Sequence, residues 1–533
     1  MTDGPVVGPA HPTTVEGGLG GRSRRKVRLR HSLFGLLALV ALLFVAAAGY
    51  GAFVSSQITR VRVRGLAPRA SGMSQGTENI LLVGSTSRCA LKVQNKAYGL
   101  CSQGVNGVNS DVVMVLHLNY ARRTLSLLSI PRDTFVPNAR QEGANKIDAA
   151  LAEGPTQLVN AVQTDFGIPI QHYISLNFDT FAGVVDALGG VRMFFPAPVY
   201  DAYSGLDVSA PGCRTLDGFH ALQVVRARHL QHLTSTANPA DPRSWPGESE
   251  SDLARIRRDH EFLRVLASAV ARQGLANPLT DTRIAAAVAP QLSVDSALST
   301  SHLANLALTF HSVNINGSPQ VTLPIVTTTF GSYHYKGGNY GDIVWPSAPE
   351  DLDVIRSVLD LPATRDTFGA ALPTPPTITV TVLNGTGATH GATSAAAALH
   401  ALGYHVQRTG DTPAVATRSE TVVYYRSRAD LGAAERLLGD LHGHAVMGVD
   451  PRLSDSTSQL TLVTGTDFSV AARANPPADT SAATASTTPT PPVVPPVSTA
   501  APGAPGSPAP SSPIEALAAY DPRSCTAAGT EGP

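Results

Sequence analysis

The sequence predicts an α/β protein in which one membrane-spanning helix precedes a large domain with a mixed sheet flanked by helices, and a small C-terminal α/β domain follows. Three observations lead to this prediction. Strand and helix patterns alternate between residues 77 and 361, a shorter alternation follows a proline-rich break, and an uncharged apolar run precedes both. The length of 533 residues allows two or three domains.

The N-terminal region has the pattern of a membrane anchor. Basic residues crowd positions 22–30, and residues 32–54 are uncharged and long enough to cross a bilayer as a helix. The basic flank predicts that residues 1–31 are cytoplasmic and that the rest of the chain lies outside. A cleaved signal peptide is the alternative, but its apolar region would be shorter. Residues 55–76, which are basic and then rich in Gly and Ser, are predicted to form a stalk.

Residues 77–361 are predicted to form the large domain. An apolar strand begins at Asn79, and two β-rich runs four residues apart, Asp111–Leu118 and Arg123–Ile130, predict a hairpin. Helical and extended patterns then follow in the order helix 155–167, strand 172–178 and helix 179–190. The clearest helix is Ser251–Gly274, whose apolar residues keep helical spacing and predict one buried stripe.

The C-terminal third begins with a proline-rich linker at residues 362–376. Residues 377–468 alternate strand and helix patterns and predict a small α/β domain without an evident catalytic cluster. Residues 469–533 are rich in Pro, Ala, Ser and Thr, a composition that cannot bury a core and predicts disorder.

Charge and cysteine content narrow the function classes. Lys and Arg together number 40, as do Asp and Glu, so no global field indicates nucleic-acid binding. The four cysteines, Cys89, Cys101, Cys213 and Cys525, fit an exported protein. Cys89 and Cys101 would close a short loop, but three pairings are open from sequence alone. Metal ligation is less favoured because the chain has no CxxC pair.

Charged residues stand at the ends of predicted elements. Arg88 follows the first strand, Asp111 enters a strand, and Arg132 and Asp133 follow another. Further basic residues in the same domain are Lys146, Arg226, Arg228, Arg255 and Arg258. Guanidinium groups bind phosphate oxygens in pairs, and Mg²⁺ bridges carboxylates to phosphates, so the set favours a diphosphate with a metal. Alternatively, each arginine forms a surface ion pair, and Asp252, Arg255 and Asp259 lie on a solvated helix face.

Seven motifs resemble the LytR–CpsA–Psr family, and they occur in the family's order. They are "NILLVGSTSR", "SDVVMVLHLN", "LSIPRDTFV", "NKIDAALAEG", "DFGIPIQHYISLNFDTFAGVVDALGGV", "LDGFHALQVVRARH" and "SDLARIRRDHEFL". The resemblance covers about residues 79–361. The predicted anchor and residues 377–468 resemble the family's common architecture, the latter its LytR C-terminal domain.

The resemblance implies a membrane-anchored phosphotransferase outside the cell. Such an enzyme moves a glycopolymer from a polyprenyl diphosphate carrier to peptidoglycan through a phosphodiester bond, and uses Mg²⁺ or Mn²⁺. The implied fold is an α/β core with an apolar pocket for the polyprenyl chain. The implied partners are the lipid-linked glycopolymer, peptidoglycan and the cytoplasmic membrane, with no nucleic acid.

The motifs also imply roles for single residues. Those that would bind the diphosphate or lie beside it are Arg88, Arg132, Lys146, Arg226, Arg228, Asp252, Arg255 and Arg258. Asp111 would hold the metal, and the hydroxyl of Thr86 could still contact it without adding charge. Arg132 and Asp133 are the implied catalytic pair, in which Asp133 either accepts the proton of the acceptor hydroxyl or only orients Arg132.

The chain departs from the family pattern at three positions. Thr86 stands where the family usually has an Asp that shares the metal, which predicts a weaker dependence on divalent metal. Asn109 replaces a frequent Arg, and Asp259 a frequent Gln. His229 and His232 have a spacing that could ligate metal on a helix, but a surface pair is favoured, and His172 is interpreted as structural.

Other functions stay open at this point. In a diphosphatase, water would replace the sugar hydroxyl. In a non-catalytic binder of lipid-linked precursors, which Thr86 favours, turnover would be absent. A transcriptional role is disfavoured because the cytoplasmic segment is short and has no helix-turn-helix pattern.

Overall fold

The computed structural model describes residues 52–53, 55–69, 76–85, 100–103, 107–248, 251–272, 288–310, 313, 318–327, 333–412, 418–450, 452–453, 457–470 and 517–525. The chain divides into two compact units, Met1–Gln57 and Ile58–Pro533. Within the ranges described, no helix combines the length and the apolar character needed to cross a membrane. The predicted span at residues 32–54 lies outside them except for residues 52–53.

The described residues of the larger unit include twenty-four strands. The first fourteen are β1 (Thr59–Val61), β2 (Thr77–Ser85), β3 (Ser110–Asn119), β4 (Thr124–Ser129), β5 (Phe135–Arg140), β6 (Gly143–Lys146), β7 (His172–Leu176), β8 (Val191–Phe195), β9 (Val199–Asp201), β10 (Leu206–Val208), β11 (Gly212–Leu216), β12 (Gln231–His232), β13 (Ser293–Asp295) and β14 (Gln320–Thr322). The others are β15 (Ile325–Thr327), β16 (His334–Tyr335), β17 (Gly338–Asn339), β18 (Val344–Ala348), β19 (Thr379–Asn384), β20 (His405–Asp411), β21 (Thr421–Tyr425), β22 (Gly443–Val449), β23 (Leu460–Thr464) and β24 (Arg523–Ser524).

The α-helices of the described residues lie between these strands. They are α1 (Pro155–Asp165), α2 (Phe178–Ala187), α3 (Gly218–Arg226), α4 (Ser251–Arg272), α5 (Thr300–Phe310), α6 (Glu350–Val358), α7 (Gly391–Ala401) and α8 (Leu431–Leu438). Helix α2 begins with a reciprocal cap, in which the Asn177 side chain accepts from Thr180 N and the Thr180 hydroxyl accepts from Asn177 N. The cap fixes where strand β7 ends and the helix starts.

The first sheet is mixed, as predicted. Its seven strands have the order β1-β13-β7-β2-β3-β4-β14. Strand β2 pairs antiparallel with β3 and parallel with β7, and β3 pairs antiparallel with β4, so the predicted hairpin is confirmed. One face of the central strands packs against helix α1, where Leu81, Val115 and Leu158 are buried in one apolar cluster.

The second sheet joins the two predicted domains. Its order is β15-β18-β22-β21-β23-β19-β20, and its first two strands precede residue 361. Ser347 and Ala348 of β18 pair antiparallel with His444 and Gly443 of β22. The predicted division into a domain at 77–361 and a separate one at 377–468 is therefore wrong in this respect, because β18 supplies backbone hydrogen bonds to the edge of the C-terminal strands.

The predicted linker at residues 362–376 packs against both sides of this junction. Thr367 is 1% exposed, and its hydroxyl lies 2.6 Å from both Gly167 O and Glu435 Oε1. Arg356 Nη2 lies 3.2 Å from Glu435 Oε2. Buried polar groups with these partners tie the segment to helix α8, so the region is not a free linker.

The predicted disorder of residues 469–533 is wrong for residues 517–525. Strand β24 pairs antiparallel with β8, and Cys525 forms a disulfide with Cys213. Asp521 is fully buried. These residues follow the segment rich in Pro, Ala, Ser and Thr, and they include Tyr520, Asp521 and Cys525, which form a ring stack, an ion pair and the disulfide.

Candidate active site

An apolar cavity of about 480 Å³ lies between the first sheet and the helices α2, α3 and α4. Strands β2, β3 and β7 supply its floor, and the helices supply its walls. The apolar residues of the lining are Leu82, Val83, Val112, Met114, Ile174, Leu176, Phe178, Phe181, Leu222, Val225, Phe262 and Leu263. Leu263, which the helical pattern assigned to the core, instead faces this space.

Glycine 84 shapes the mouth of the cavity. The ladder between β2 and β3 shifts register after Gly84, so that Ser85 pairs with Ser110. A Cβ atom on Gly84 would lie 2.9 Å from Val112 Cβ, closer than real side chains pack. The absence of a side chain lets the end of β2 close onto the start of β3, which places Asp111 at the mouth.

Arg132 and Asp133 form the centre of an ion-pair network at this mouth. Arg132 Nη1 donates to Asp111 Oδ1, and Arg132 Nε lies 3.5 Å from Asp133 Oδ2. Asp133 also pairs with Lys146 Nζ at 2.8 Å and with Arg228 Nη2 at 3.5 Å. Burial raises the pKa of Asp133, but the neighbouring cations outweigh burial and hold it below its usual value.

Asp133 is therefore an ionised carboxylate that holds three cations together. A carboxylate with a lowered pKa is a weak base, so this geometry favours the orienting role for Asp133. Its assignment as the group that accepts the acceptor proton stays a prediction.

Helix α4 adds a second layer to the network. Arg255 Nη2 donates to Asp252 Oδ1 at 3.0 Å and to the main-chain oxygen of Asp111 at 3.0 Å. Asp252 Oδ1 also lies 3.1 Å from Arg228 Nε. Arg255 is 3% exposed and Asp259 is 4% exposed, so the alternative of a solvated charged face is wrong. These contacts hold the helix against the start of β3.

The pKa of Asp259 lies well above that of an ordinary aspartate. Its Oδ2 atom lies 3.1 Å from Arg255 Nη1. Burial raises the pKa of Asp259 to about 7. The guanidinium of Arg255 opposes this rise in pKa but does not cancel it, because the same group also pairs with Asp252.

Replacing Asp259 with asparagine is expected to remove a pH-dependent loss of stability. The folded chain keeps the Asp259 proton up to about pH 7, whereas an ordinary Asp releases it near 3.8. Because the folded state binds more protons between these values, the free energy of unfolding falls as pH rises through this window. Urea unfolding at pH 5 and pH 8 measures the free energy of unfolding at each pH. Its decrease from pH 5 to pH 8 should be about 2–3 kcal/mol larger in the wild type than in Asp259→Asn. Equal drops in the two proteins would contradict this assignment.

Four residues singled out in the sequence near the end of α3 differ in their surroundings. Arg226 and Arg228 both line the cavity, and the Arg226 guanidinium lies 4.9 Å from the centre of the Phe178 ring. His229 also lines the cavity and packs against Tyr203, with ring centres 4.7 Å apart. His232 instead stacks on Tyr520. The two histidines thus contact different partners, and neither belongs to the metal-capable cluster found in the described part of the chain.

The structure places Arg258 away from the cavity. Its side chain is fully buried, with Glu248 Oε2 at 2.6 Å and Asp521 Oδ1 at 3.1 Å. Arg258 is not among the residues that line the cavity, so its predicted contact with substrate is wrong. Arg88 and Thr86 lie outside the described residues.

Sequence reasoning missed Asp148. It is buried two residues after Lys146, and its Oδ2 atom lies 3.4 Å from Asn109 Nδ2. Burial raises the pKa of Asp148 to about 6, although Arg132 opposes the shift. The available sequence signal for Asp148 was its carboxylate in the motif "NKID", two residues after Lys146, which the motif already implicated.

The profile of the LytR_cpsA_psr family matches residues 55–342, which is more than half of the chain. The protein belongs to the LytR_cpsA_psr family. A second profile, described as LytR cell envelope-related transcriptional attenuator, matches residues 377–468.

Several curated relatives carry names from cell-wall assembly. A probable cell wall biosynthesis protein, LcpB of Corynebacterium glutamicum, is 31% identical over 322 residues, covering 59% of this chain and 70% of the relative. TagT of Bacillus subtilis, named a polyisoprenyl-teichoic acid–peptidoglycan teichoic acid transferase, is 27% identical over 253 residues, covering 46% and 72%. A TagU transferase of Halalkalibacterium halodurans is 29% identical over 178 residues, covering 31% of this chain and 54% of its own length.

Solved structures of the family also align with the chain. The LytR-Csp2A-Psr enzyme from Actinomyces oris is 24% identical with a TM-score of 0.43, covering 56% of this chain and 95% of that structure. A structure described as TagT bound to LI-WTA is 21% identical with a TM-score of 0.38, covering 56% and 98%.

Proposed function

We propose that this LytR_cpsA_psr protein is an extracytoplasmic phosphotransferase that moves a glycopolymer from a polyprenyl diphosphate carrier to peptidoglycan. One observation carries the proposal: the cations Arg132, Arg228 and Arg255 meet at the mouth of an apolar cavity. The names of the curated relatives as transferases of polyisoprenyl-linked teichoic acid support it.

The two parts of the site match the two parts of such a substrate. The apolar lining suits a polyprenyl chain, which gains free energy from leaving water. The guanidinium groups at the mouth suit the diphosphate that follows the chain, because their forks bind phosphate oxygens and stay charged at any working pH. The glycan would then project into solvent, where an acceptor can reach it.

The reaction breaks the phosphoanhydride bond of the diphosphate and forms a phosphodiester. A hydroxyl oxygen of the peptidoglycan acceptor would attack the phosphorus next to the glycan, and the bond from that phosphorus to the bridging oxygen would break. Polyprenyl monophosphate leaves with the bonding electron pair, and the hydroxyl proton passes to a nearby base or water. Positioning and charge neutralisation carry most of such a transfer, which is what Arg132 and Arg228 can supply.

We extend the proposal to a divalent cation, Mg²⁺ or Mn²⁺. Asp111 places one carboxylate at the cavity mouth, and Mg²⁺ is commonly bound by one or two carboxylates together with substrate phosphates. The donor chemistry of Asp111 therefore fits such an ion. Its contribution would be to neutralise charge on the diphosphate.

Two substitutions test the metal. Asp111→Asn is expected to raise the Mg²⁺ concentration needed for half-maximal turnover by at least about tenfold, because a neutral amide replaces the charged ligand. Thr86→Asp is expected to lower it by about tenfold, because a carboxylate replaces a hydroxyl. Mg²⁺ titrations of turnover measure both, with Asp207→Asn as an exposed acidic control. An unchanged titration for both variants would contradict the metal role.

The transferase itself is tested with detergent-solubilised full-length protein, a polyprenyl diphosphate-linked glycopolymer and peptidoglycan. The expected product is glycopolymer linked to peptidoglycan through phosphodiester. Free phosphorylated glycan as the sole product would establish the diphosphatase instead. Retention of lipid without any product would establish the non-catalytic binder.

We also propose that the protein is anchored in the cytoplasmic membrane with its catalytic region outside. The charge-free run at residues 32–54 and the basic residues before it support this placement. The Cys213–Cys525 disulfide supports it further, because disulfides persist in oxidising compartments. Proteolysis of intact spheroplasts should remove the catalytic region while leaving the membrane sealed, whereas protection of that region would contradict the orientation.

A further inference from the structure

A cluster of metal-ligating side chains lies at the end of the first sheet that is remote from the cavity mouth. Glu78 stands near the start of β2, His172 begins the neighbouring β7, and His302 belongs to helix α5. Six residues of β2 separate Glu78 from Gly84, or about 20 Å of extended chain. Within the described part of the chain, these three are the set of ligand groups that lie close enough to share one metal ion.

The distances between ligand atoms in the cluster are close to those between the ligands of one metal ion. Glu78 Oε1 lies 3.0 Å from His302 Nε2 and 3.4 Å from His172 Nε2. Ligand atoms that are each about 2.0–2.2 Å from a tetrahedral zinc ion lie about 3.3–3.5 Å from one another. The ligand atoms are therefore already near the separation that a metal would impose, and little movement is needed to bind one.

A buried carboxylate orients His172 in the way that metal sites require. His172 Nδ1 lies 3.0 Å from Asp295 Oδ2, and Asp295 is fully buried. Asp295 also accepts from the backbone N–H groups of Tyr173, Ala297 and Leu298, so it cannot turn away. A proton on Nδ1 leaves the lone pair of Nε2 directed towards Glu78. In the neutral ring, this nitrogen and the Glu78 carboxylate are both acceptors, and a cation between them would satisfy both.

Helix α5 is the element that such an ion would hold. None of its residues is buried, so hydrophobic burial alone secures it weakly to the sheet. Its described side-chain contacts with the sheet include His302 with Glu78 and the Phe310 ring against Tyr120. A metal bound by His302 and two strand residues would fix the start of this helix.

We propose that Glu78, His172 and His302 form a zinc site that ties helix α5 to the first sheet. Two imidazoles and one carboxylate suit Zn²⁺, whereas Mg²⁺ and Ca²⁺ prefer oxygen ligands throughout. Water takes the fourth position, and the Tyr120 hydroxyl, 2.6 Å from Glu78 Oε2, is placed to contact it. The site is independent of the phosphotransferase proposal, because it lies outside the residues that line the cavity.

The test uses full-length protein in detergent, stripped with chelator and then titrated with Zn²⁺ against a chromophoric competitor. The wild type is expected to bind one zinc per chain and to unfold at a higher temperature with zinc than without. His302→Ala and Glu78→Gln should each lower the affinity by more than about 100-fold, since loss of an outer partner alone costs 10–100-fold. Asp295→Asn should lower it by about 10–100-fold.

Two controls separate this site from other metal binding. His400→Ala removes an exposed helical histidine elsewhere and should leave the affinity unchanged. Asp111→Asn should also leave it unchanged, because Asp111 lies at the cavity mouth. X-ray absorption of the bound zinc should show two imidazole ligands. Zinc that binds His302→Ala and Glu78→Gln with wild-type affinity, or no stoichiometric zinc in the wild type, would overturn the proposal.

Discussion

Replacement of Arg132 by alanine is expected to lower glycopolymer transfer by about 10³- to 10⁵-fold, the range over which a single arginine contributes to other phosphoryl transfers. Arg132 contacts both Asp111 and Asp133, so it stands between the proposed metal ligand and the carboxylate that holds Lys146 and Arg228. Its loss removes a charge at the reacting diphosphate and also releases Asp133 from one of its partners. Turnover should therefore fall much more than lipid binding, which the apolar lining supports.

The measurement is single-turnover transfer together with retention of the lipid-linked substrate. Arg132→Lys keeps the charge but loses the planar fork, so its activity should lie between those of the wild type and Arg132→Ala. Arg122→Ala is the matched control, because Arg122 is an exposed arginine of the same hairpin that pairs with Asp360. If Arg132→Ala retains lipid and also turns over within a few-fold of the wild type, Arg132 has no catalytic role.

The first sheet and most of the ion-pair network could be predicted from sequence because their signals are local. The runs that begin at Asp111 and Arg123 are rich in residues that favour strands, and the hairpin follows from their short separation. Arg132 follows the end of β4, Arg228 closely follows the end of α3, and both contact Asp133. Family motifs then grouped them with Arg255.

The parts that could not be predicted depend on contacts between distant segments. Arg255 and Arg258 are three residues apart on one helix, and nothing local shows that one meets Asp252 while the other meets Asp521. The shared second sheet depends on β18, a five-residue strand that contains Pro346 and resembles a loop in sequence. The cluster of Glu78, His172 and His302 joins three elements, and each member alone resembles an ordinary structural residue.

Replacement of Arg258 by methionine is expected to lower the free energy of unfolding by about 3–5 kcal/mol. The side chains of Arg258, Glu248 and Asp521 are 0%, 1% and 0% exposed, so the change would leave Glu248 buried without this cation. Asp521 would keep only the longer pair with Arg257, at 3.8 Å. Arg258 also donates to the main-chain oxygen of Ala227, which would lose its partner. Urea unfolding of the full-length protein measures the loss.

A triple variant separates lost charge pairing from lost packing. Glu248→Gln and Asp521→Asn combined with Arg258→Met remove all three charges, and the stability should recover by most of the deficit, because a neutral group costs less to bury than an unpaired ion. Arg452→Ala breaks a pair on the surface, where Arg452 is 89% exposed, and should change stability by less than about 1 kcal/mol.

The Cys213–Cys525 disulfide holds the segment that carries Asp521, so Cys525→Ser should reduce the effect of Arg258→Met by loosening the same contact beforehand. Full additivity of these two changes would show that the C-terminal segment and helix α4 stabilise the fold independently, and the ion pair would then not be the link between them.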